Sequence, residues 1–241
     1  MPSGFERERK VVVFDLDNTL IDVGPYHGLG RRRAIQEVYG IEEKLRRGAL
    51  TGNTMANVLR IICRDSGVPD DVIEAGLQDA LRVWARTSAE VLPLDLRTAV
   101  LPGVLRLLSE LRERGHALVL VTGSLTDIGH MLLERSGLGA FFCAFAFGDE
   151  GRDRPALLRL ALERAQAAFG SMPAPEDVVV VRDSPRDVES AQAVGARAVA
   201  VATGSHTVEA LAPCKADAVL ADFRDPKAAL AAILDKRGTE L

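Results

Sequence analysis

The sequence predicts an α/β fold: a Rossmann-like parallel sheet with helices on both faces, plus a small all-helical domain inserted after the first strand. Three observations predict it. Short apolar runs, several rich in β-branched residues, recur at 10–15, 117–122, 177–183, 197–203 and 217–222, and continuous runs of this length suit strands covered on both faces. Between the later runs lie stretches with apolar residues at three- and four-residue spacing, so strand and helix alternate as in a parallel sheet wrapped by helices. From Asp22 to about Ala99, by contrast, no strand pattern occurs, only helical stripes.

The elements follow in order. KVVVFD (10–15) is the first strand and ends at Asp15. Ala34, Ile35 and Val38 then mark a short helix ending at Gly40; Met55, Val58, Leu59 and Ile62 make a second stripe, and Ile73, Leu77, Leu81 and Trp84 a third. Stripes of this kind bury one another as a small bundle, with Trp84 filling its centre. The stretch 89–103, with Pro93 and Pro102, reads as a hinge. In LPGVLRLLSELRERGH, Leu101, Leu105, Leu108 and Leu111 line one expected helix face, Pro102 suits the first turn and Gly115 the end. ALVLVT (117–122) is the next strand, and 155–169, 185–194 and 226–235 are helices among the remaining runs. The chain thus divides into a core, 1–21 and 100–241, and a helical domain, 22–99. A bundle leaving directly after the first strand lies over the carboxyl ends of the strands, where open α/β sheets bind ligands, and is placed to act as a lid.

Composition narrows the function classes. The 241 residues, 47% of them hydrophobic, hold a sizeable core. A net charge of −4 argues against nucleic acid as a partner, because phosphate-backbone binders need surplus Lys and Arg. No apolar run approaches the ~18 residues of a membrane span, and the charged start MPSGFERERK precedes only a short apolar run, so no membrane partner and a cytoplasmic location are expected. Cys63, Cys143 and Cys214 are far apart and odd in number, and are expected as small core residues rather than a disulfide framework or metal site. His27, His116, His130 and His206 show no ligand spacing and read as surface or packing residues, with His27 nearest the lid's entrance. Arg31, Arg32 and Arg33 read as a solvated helix face that, on a lid, also draws in an anionic substrate.

The polar residues that need explaining sit at strand ends. The first run ends in FDLDNTLID, with Asp15 and Asp17; the second in Thr122-Gly123-Ser124; a later one in Arg182-Asp183, with Asp187 four residues on. In a parallel sheet these ends converge, and carboxylates brought together raise one another's pKa unless a cation joins them. A hard divalent ion with oxygen ligands resolves this, and Mg²⁺ is the usual choice where phosphate is present. A strand-end carboxylate can attack phosphorus while a neighbouring acid protonates the leaving oxygen. The hydroxyl and amides of Thr122-Gly123, ahead of a helix start, suit an anion seat, and cations must balance the transferring phosphoryl. Each motif alone has a plainer reading: DxD as turn chemistry, Thr122-Gly123-Ser124 as a loop, Asp183 as a helix cap. Their occurrence in order at strand ends outweighs it.

FDLDNTLID resembles the DxDxT signature of the haloacid dehalogenase-like phosphohydrolases. VTGS, the DRP segment at 153–155 and RDSPRD fall in order where that family places its other three motifs. The resemblance covers essentially the whole chain, helical cap included, and lies on the phosphatase branch, similar to phosphoglycolate phosphatases. It implies Mg²⁺-dependent hydrolysis of a small phosphorylated metabolite through an aspartyl-phosphate, by a monomer or homodimer. It implies Asp15 as nucleophile and Asp17 as general acid and later base. Thr122 and the Gly123 amide would hold phosphoryl oxygens, with Asn18 a further substrate contact. The Mg²⁺ ligands would be Asp15, Asp17 through its carbonyl, and Asp183, supported by Asp187. An acid at Asp17 distinguishes phosphatases from dehalogenases; a phosphomutase on the same core and a catalytically weak binding protein are the alternatives. A phosphoacceptor signalling domain also joins carboxylates to Mg²⁺, but it is about half this length and lacks the inserted bundle.

Two positions depart from the family's pattern. Its third motif is normally a lysine, but here Arg154 precedes Pro155 and no lysine occurs between Lys44 and Lys215. The catalytic and phosphate-binding role therefore falls to Arg154, with Arg152 as a substitute, although a planar guanidinium fork and an ammonium are not equivalent. Arg182 stands where the family usually has glycine or an acid, and is expected to turn away from the metal and pair with an acid.

Overall fold

The structure, a computed structural model, describes residues 9–43 and 50–235, apart from the side chain of Asp187. β1 (Val11–Phe14), β2 (Ala117–Val121), β3 (Ala144–Ala146), β4 (Val178–Arg182), β5 (Arg197–Val201) and β6 (Ala218–Leu220) form one parallel sheet in the order β3-β2-β1-β4-β5-β6. β1 is central, Val11 pairing with Ala117 on one side and Val178 on the other. The chain runs outward from β1 to β3 and then returns to β4 on β1's other side, so the topological switch, and the crevice that accompanies it, lies at the carboxyl ends of β1 and β4.

The side-chain alternation of a strand explains why these runs are apolar throughout. Val12, Phe14, Leu120 and Val181 face one layer, which contains α4 (Val104–Glu113), α5 (Thr126–Ser136) and α9 (Pro226–Leu234). Val11, Val13, Val121 and Val180 face the other, made by α6 (Arg154–Phe169), α7 (Pro185–Gln192) and the short α8 (Val208–Leu211).

Among the described residues, three α-helices lie between β1 and α4: α1 (Gly24–Tyr39), α2 (Met55–Asp65) and α3 (Asp70–Val91). Pro25 sits in the first turn of α1, and Gly40 ends it at φ 66°, a left-handed conformation that glycine adopts without strain. Thr54 caps α2 by accepting from Asn57 N at 3.3 Å. Leu59, Leu77 and Trp84 belong to the same apolar cluster as Phe14, so the insertion packs continuously with one face of the sheet. Its two crossings are paired: Asp22 N donates to Ala99 O and Leu101 N to Leu20 O, both at 2.9 Å. The stretch 89–103 is further tied to α5, since Leu96 N donates to Arg135 O at 2.9 Å and Arg135 Nη1 to Leu92 O at 2.7 Å.

Several expectations need correction. Helix α4 starts only at Val104, behind Gly103, whose φ of 88° and contact with Phe223 O leave no room for a side chain. Its buried face is therefore Val104, Leu107, Leu108 and Leu111, and Leu105 is 50% exposed. β3 is only three residues long and lies at the sheet edge, too short for a legible pattern. Cys63 is a core residue, its thiol pushed up to about 11 by burial, but Cys143 is exposed and Cys214 half-buried. Among the described residues no helix is long and apolar enough to cross a membrane.

Candidate active site

The backbone of β1 extends one residue past Phe14, with Asp15 N donating to Val181 O at 3.2 Å. The Asp15 side chain is buried and faces Arg154, whose Nη2 donates to Asp15 Oδ1 at 2.8 Å. Arg154 opens α6, a helix capped by Asp153, which accepts from Ala156 N at 2.8 Å. This cap turns the preceding residue outward. Arg152 is 86% exposed, pairs with Asp153 at 3.3 Å and does not reach Asp15, so it is no substitute for Arg154.

After Asp15 the chain makes a tight turn. Leu20 N and Ile21 N both donate to Leu16 O, Asn18 N donates to Ile21 O at 2.8 Å, and Asn18 adopts φ 60°, which Asn tolerates better than most residues. Thr203 Oγ1 donates to the Asn18 carbonyl at 2.6 Å. The turn directs the Asp17 carboxylate away from Asp15's partner. His27 Nε2 lies 2.8 Å from Asp17 Oδ1, and Asp17 Oδ2 accepts from Ser124 Oγ at 2.9 Å and Thr122 Oγ1 at 3.3 Å. Burial is the largest influence on this carboxyl and pushes its pKa up. The charge and hydrogen bond of His27, with the bonds from Ser124 and Thr122, together outweigh it and hold Asp17 below the usual carboxylate value.

Gly123 is glycine for a steric reason. A Cβ there would stand 2.2 Å from Asn53 O, and Met55 N donates to Gly123 O at 2.9 Å, so the start of α2 docks directly on the loop after β2. Gly148 packs on the other side, its N–H donating to Ser124 O at 2.7 Å. Thr122 is fully buried beneath this contact.

Asp183 is buried at the end of β4, next to Asp15 at the end of β1. A Cβ on Gly204 would fall 2.0 Å from Asp183 Oδ2, so the loop after β5 closes around this carboxylate only because residue 204 is glycine. Arg182 is also buried. It shares the strand parity of Val178 and Val180, which face α6 and α7, and it does not line the cavity described below. α7 carries Asp187, whose side chain lies outside the described residues. Among the described residues no three His, Cys, Asp or Glu side chains converge as a metal cluster. Asp15 and Asp183 nevertheless share one cavity, and two buried carboxylates with a cradle too tight for a Cβ are a donor set suited to a hard, oxygen-preferring cation.

That cavity measures about 180 Å³. Asp15, Asp17, Asn18, Gly123, Arg154 and Asp183 line it from the sheet side, and His27, Arg31, Asn53, Val58 and Trp84 are among its walls from the insertion. A larger cleft of about 720 Å³, lined by Arg60, Leu81, Leu125 and Arg152 among others, holds none of the strand-end carboxylates. Sequence reasoning missed Ser124 and His27 as partners of Asp17. The one signal for the insertion's contribution was the spacing of His27 and Arg31, four residues apart and so on one face of α1.

Comparison with known proteins identifies a family and a shared fold. The family described as haloacid dehalogenase-like hydrolase matches residues 9–195. A phosphoglycolate phosphatase of Pseudomonas savastanoi pv. phaseolicola is 30% identical over 238 residues, spanning 92% of this chain and 82% of that one. A phosphoglycolate phosphatase of Salmonella typhimurium is 28% identical over 235 residues, 89% of each chain. Among solved structures, a hydrolase from Pseudomonas syringae shares the fold with a TM-score of 0.73 at 20% identity, covering 94% of this chain and all of that one.

Proposed function

The chain belongs to the haloacid dehalogenase-like hydrolases, and we propose that it is a Mg²⁺-dependent phosphatase that hydrolyses a small phosphate monoester through an aspartyl-phosphate. The observation that carries this reading is the contrast between two aspartates one residue apart: Asp15 faces a guanidinium, while Asp17 is held by an imidazole and two hydroxyls. Two carboxylates in different surroundings can divide the roles of nucleophile and acid–base group.

In the first step an Asp15 carboxylate oxygen attacks phosphorus, the bond from phosphorus to the ester oxygen breaks, and Asp17 gives that oxygen its proton. A phosphoryl dianion beside Asp17 opposes the influences that lower its pKa, which favours the protonated form when substrate is bound. In the second step water attacks the phosphorus of the acyl-phosphate, Asp17 takes the water's proton, and Asp15 is released with orthophosphate. Thr122 and the Gly123 amide hold phosphoryl oxygens, Asn18 adds a contact at the same edge, and Arg154 balances charge. Mg²⁺ would be held by Asp15, Asp183 and the Asp17 carbonyl, with Asp187 in support, and supplies positive charge for the carboxylates and phosphoryl oxygens. Residues 22–99 act as the cap over a core of 1–21 and 100–241. A cytoplasmic monomer or homodimer acting on small metabolites, without nucleic acid, belongs to the same reading; the net charge of −4 supports the exclusion of nucleic acid.

The test is Mg²⁺-dependent phosphate release from p-nitrophenyl phosphate, followed by a panel of small phosphorylated metabolites that includes phosphoglycolate and sugar phosphates. Asp15→Asn is the control, and release no greater than that control overturns the reading.

A further inference from the structure

We propose that Glu150 is a positioning residue for the phosphoryl seat: paired with Arg164, it shapes the turn after β3 that backs the Gly123 peptide. The proposal rests on the phosphatase reading above and adds a residue that acts through others.

The turn is closed twice. Glu150 N donates to Phe147 O at 3.0 Å, and Phe147 N donates back to Glu150 Oε2 at 2.9 Å. Arg164, on α6, then grips the same carboxylate end-on, Nη1 donating to Glu150 Oε2 at 2.9 Å and Nη2 to Glu150 Oε1 at 2.7 Å. Arg164 Nη1 also donates to Phe145 O at 2.8 Å, so the pair is anchored to the main chain on both sides of Ala146, the last residue of β3. The Arg60–Glu74 pair, by contrast, joins side chains alone. The hydrogen bond from Arg164 is the largest influence on the Glu150 carboxyl and, with that from Phe147 N, holds it below its ordinary value against the upward push of burial.

The turn presses against the seat. Gly148 is its second residue; a Cβ there would stand 2.1 Å from Gly123 O, and Gly148 N donates to Ser124 O at 2.7 Å. Asp149 follows, and its Oδ1 accepts from Thr126 N and Thr126 Oγ1, both at 2.8 Å, where α5 begins. Two consecutive residues of the turn therefore fix the loop after β2 from one side, while Met55 N holds Gly123 O from the insertion. The chain then runs on to Arg154, which reaches Asp15 from the start of α6, and Arg164 lies about 15 Å further along that helix. One helix thus supplies the cation at the nucleophile and the brace behind the seat.

Stability is not what this pair contributes most. Its side chains are 41% exposed at Arg164 and 26% at Glu150, and ion pairs this open add little to stability. Catalysis is far more sensitive to placement: a shift of about 1 Å at a reacting group costs a factor of roughly 10² in rate. Loosening the turn is therefore expected to lower turnover much more than it lowers Tm.

The experiment measures kcat and KM for p-nitrophenyl phosphate, and the Kd of orthophosphate by calorimetry in Mg²⁺, in wild type, Glu150→Ala, Arg164→Ala, the double variant, Glu150→Gln and Glu74→Ala, which breaks the Arg60–Glu74 pair. Glu150→Ala and Arg164→Ala are each expected to lower kcat about tenfold or more and to weaken orthophosphate binding, with a Tm close to that of Glu74→Ala, whose kcat is unchanged. Glu150→Gln keeps an oxygen that accepts from both Phe147 N and Arg164, and should retain most of the activity. The double variant should fall no further than the worse single one, because the two residues act as a unit. An unchanged kcat and orthophosphate Kd in Glu150→Ala, a loss matched by Glu74→Ala, or losses that multiply in the double variant overturns the proposal. Wild type that binds orthophosphate but hydrolyses no ester, with binding weakened in Glu150→Ala, supports the proposal and overturns the phosphatase reading instead; wild type that does neither overturns both.

Discussion

His27 Nε2, on the inserted helix α1, lies 2.8 Å from Asp17 Oδ1, in the turn that follows the central strand. The insertion thereby supplies one of the three side-chain partners of Asp17 among the described residues, and the position of α1 and the protonation of Asp17 become coupled. Arg154 meets Asp15 at the same distance from the opposite layer of the sheet, so each aspartate is held from a different side.

Replacing His27 by Gln removes two of the influences that lower the Asp17 pKa. Burial, the largest influence and an upward one, is then opposed chiefly by Ser124 and Thr122. The Asp17 titration moves up, and the limb of the pH–activity profile that follows it moves to higher pH. Because the folded-state pKa is depressed, the associated stability is present above the ordinary carboxylate value of about 3.9 and is lost as pH falls through the lower folded value. The variant should therefore unfold at a higher pH on acid titration, as circular dichroism can follow.

Arg154 and Asp15 form a buried pair. Removing one partner leaves the other charge stranded, and such losses run to about 3–5 kcal/mol. Arg154→Ala should lower stability by that order in urea denaturation as well as phosphate release. Combining Arg154→Met with Asp15→Asn should cost less than the sum of the two single changes, the non-additivity expected of residues in contact.

Gly204→Ala places a methyl group 2.0 Å from Asp183 Oδ2 and 3.1 Å from the Asn18 Cβ. If Asp183 holds Mg²⁺ as proposed, displacing its carboxylate should raise the Mg²⁺ concentration for half-maximal activity by about 10–100-fold. Mg²⁺ titration of EDTA-treated protein measures it, and an unchanged requirement would argue against Asp183 as a ligand.

Gly30→Ala drives a methyl group to 2.5 Å from Trp84 Cδ1. Overpacking of this kind costs about 1–3 kcal/mol, and the lowered Tm should be accompanied by a shift in the emission of the single tryptophan as its packing loosens.

Much of the fold was legible in the sequence because the central strands are buried on both faces and admit almost nothing but apolar residues. β3 escaped detection because three residues at a sheet edge carry no period, and Leu105 was misassigned because the start of α4 is set by the contact of Gly103 with Phe223 O, far away in sequence. Asp15, Asp17, Thr122, Gly123, Arg154 and Asp183 were legible because each lies at or near the end of an apolar run or the start of a helix.

The sequence by itself determined the strand order's raw material, the placement of carboxylates at strand ends and the arginine at position 154 ahead of Pro155. Only the tertiary structure decided that Asp17 turns to His27, Ser124 and Thr122, that Arg152 faces solvent, and that Arg31, paired with Glu43, forms part of the cavity wall. The physical reason is the same in each case. Periodicity states which residues share a face, but the partners of that face are set by how helices pack on the sheet, and those contacts join residues that nothing local connects.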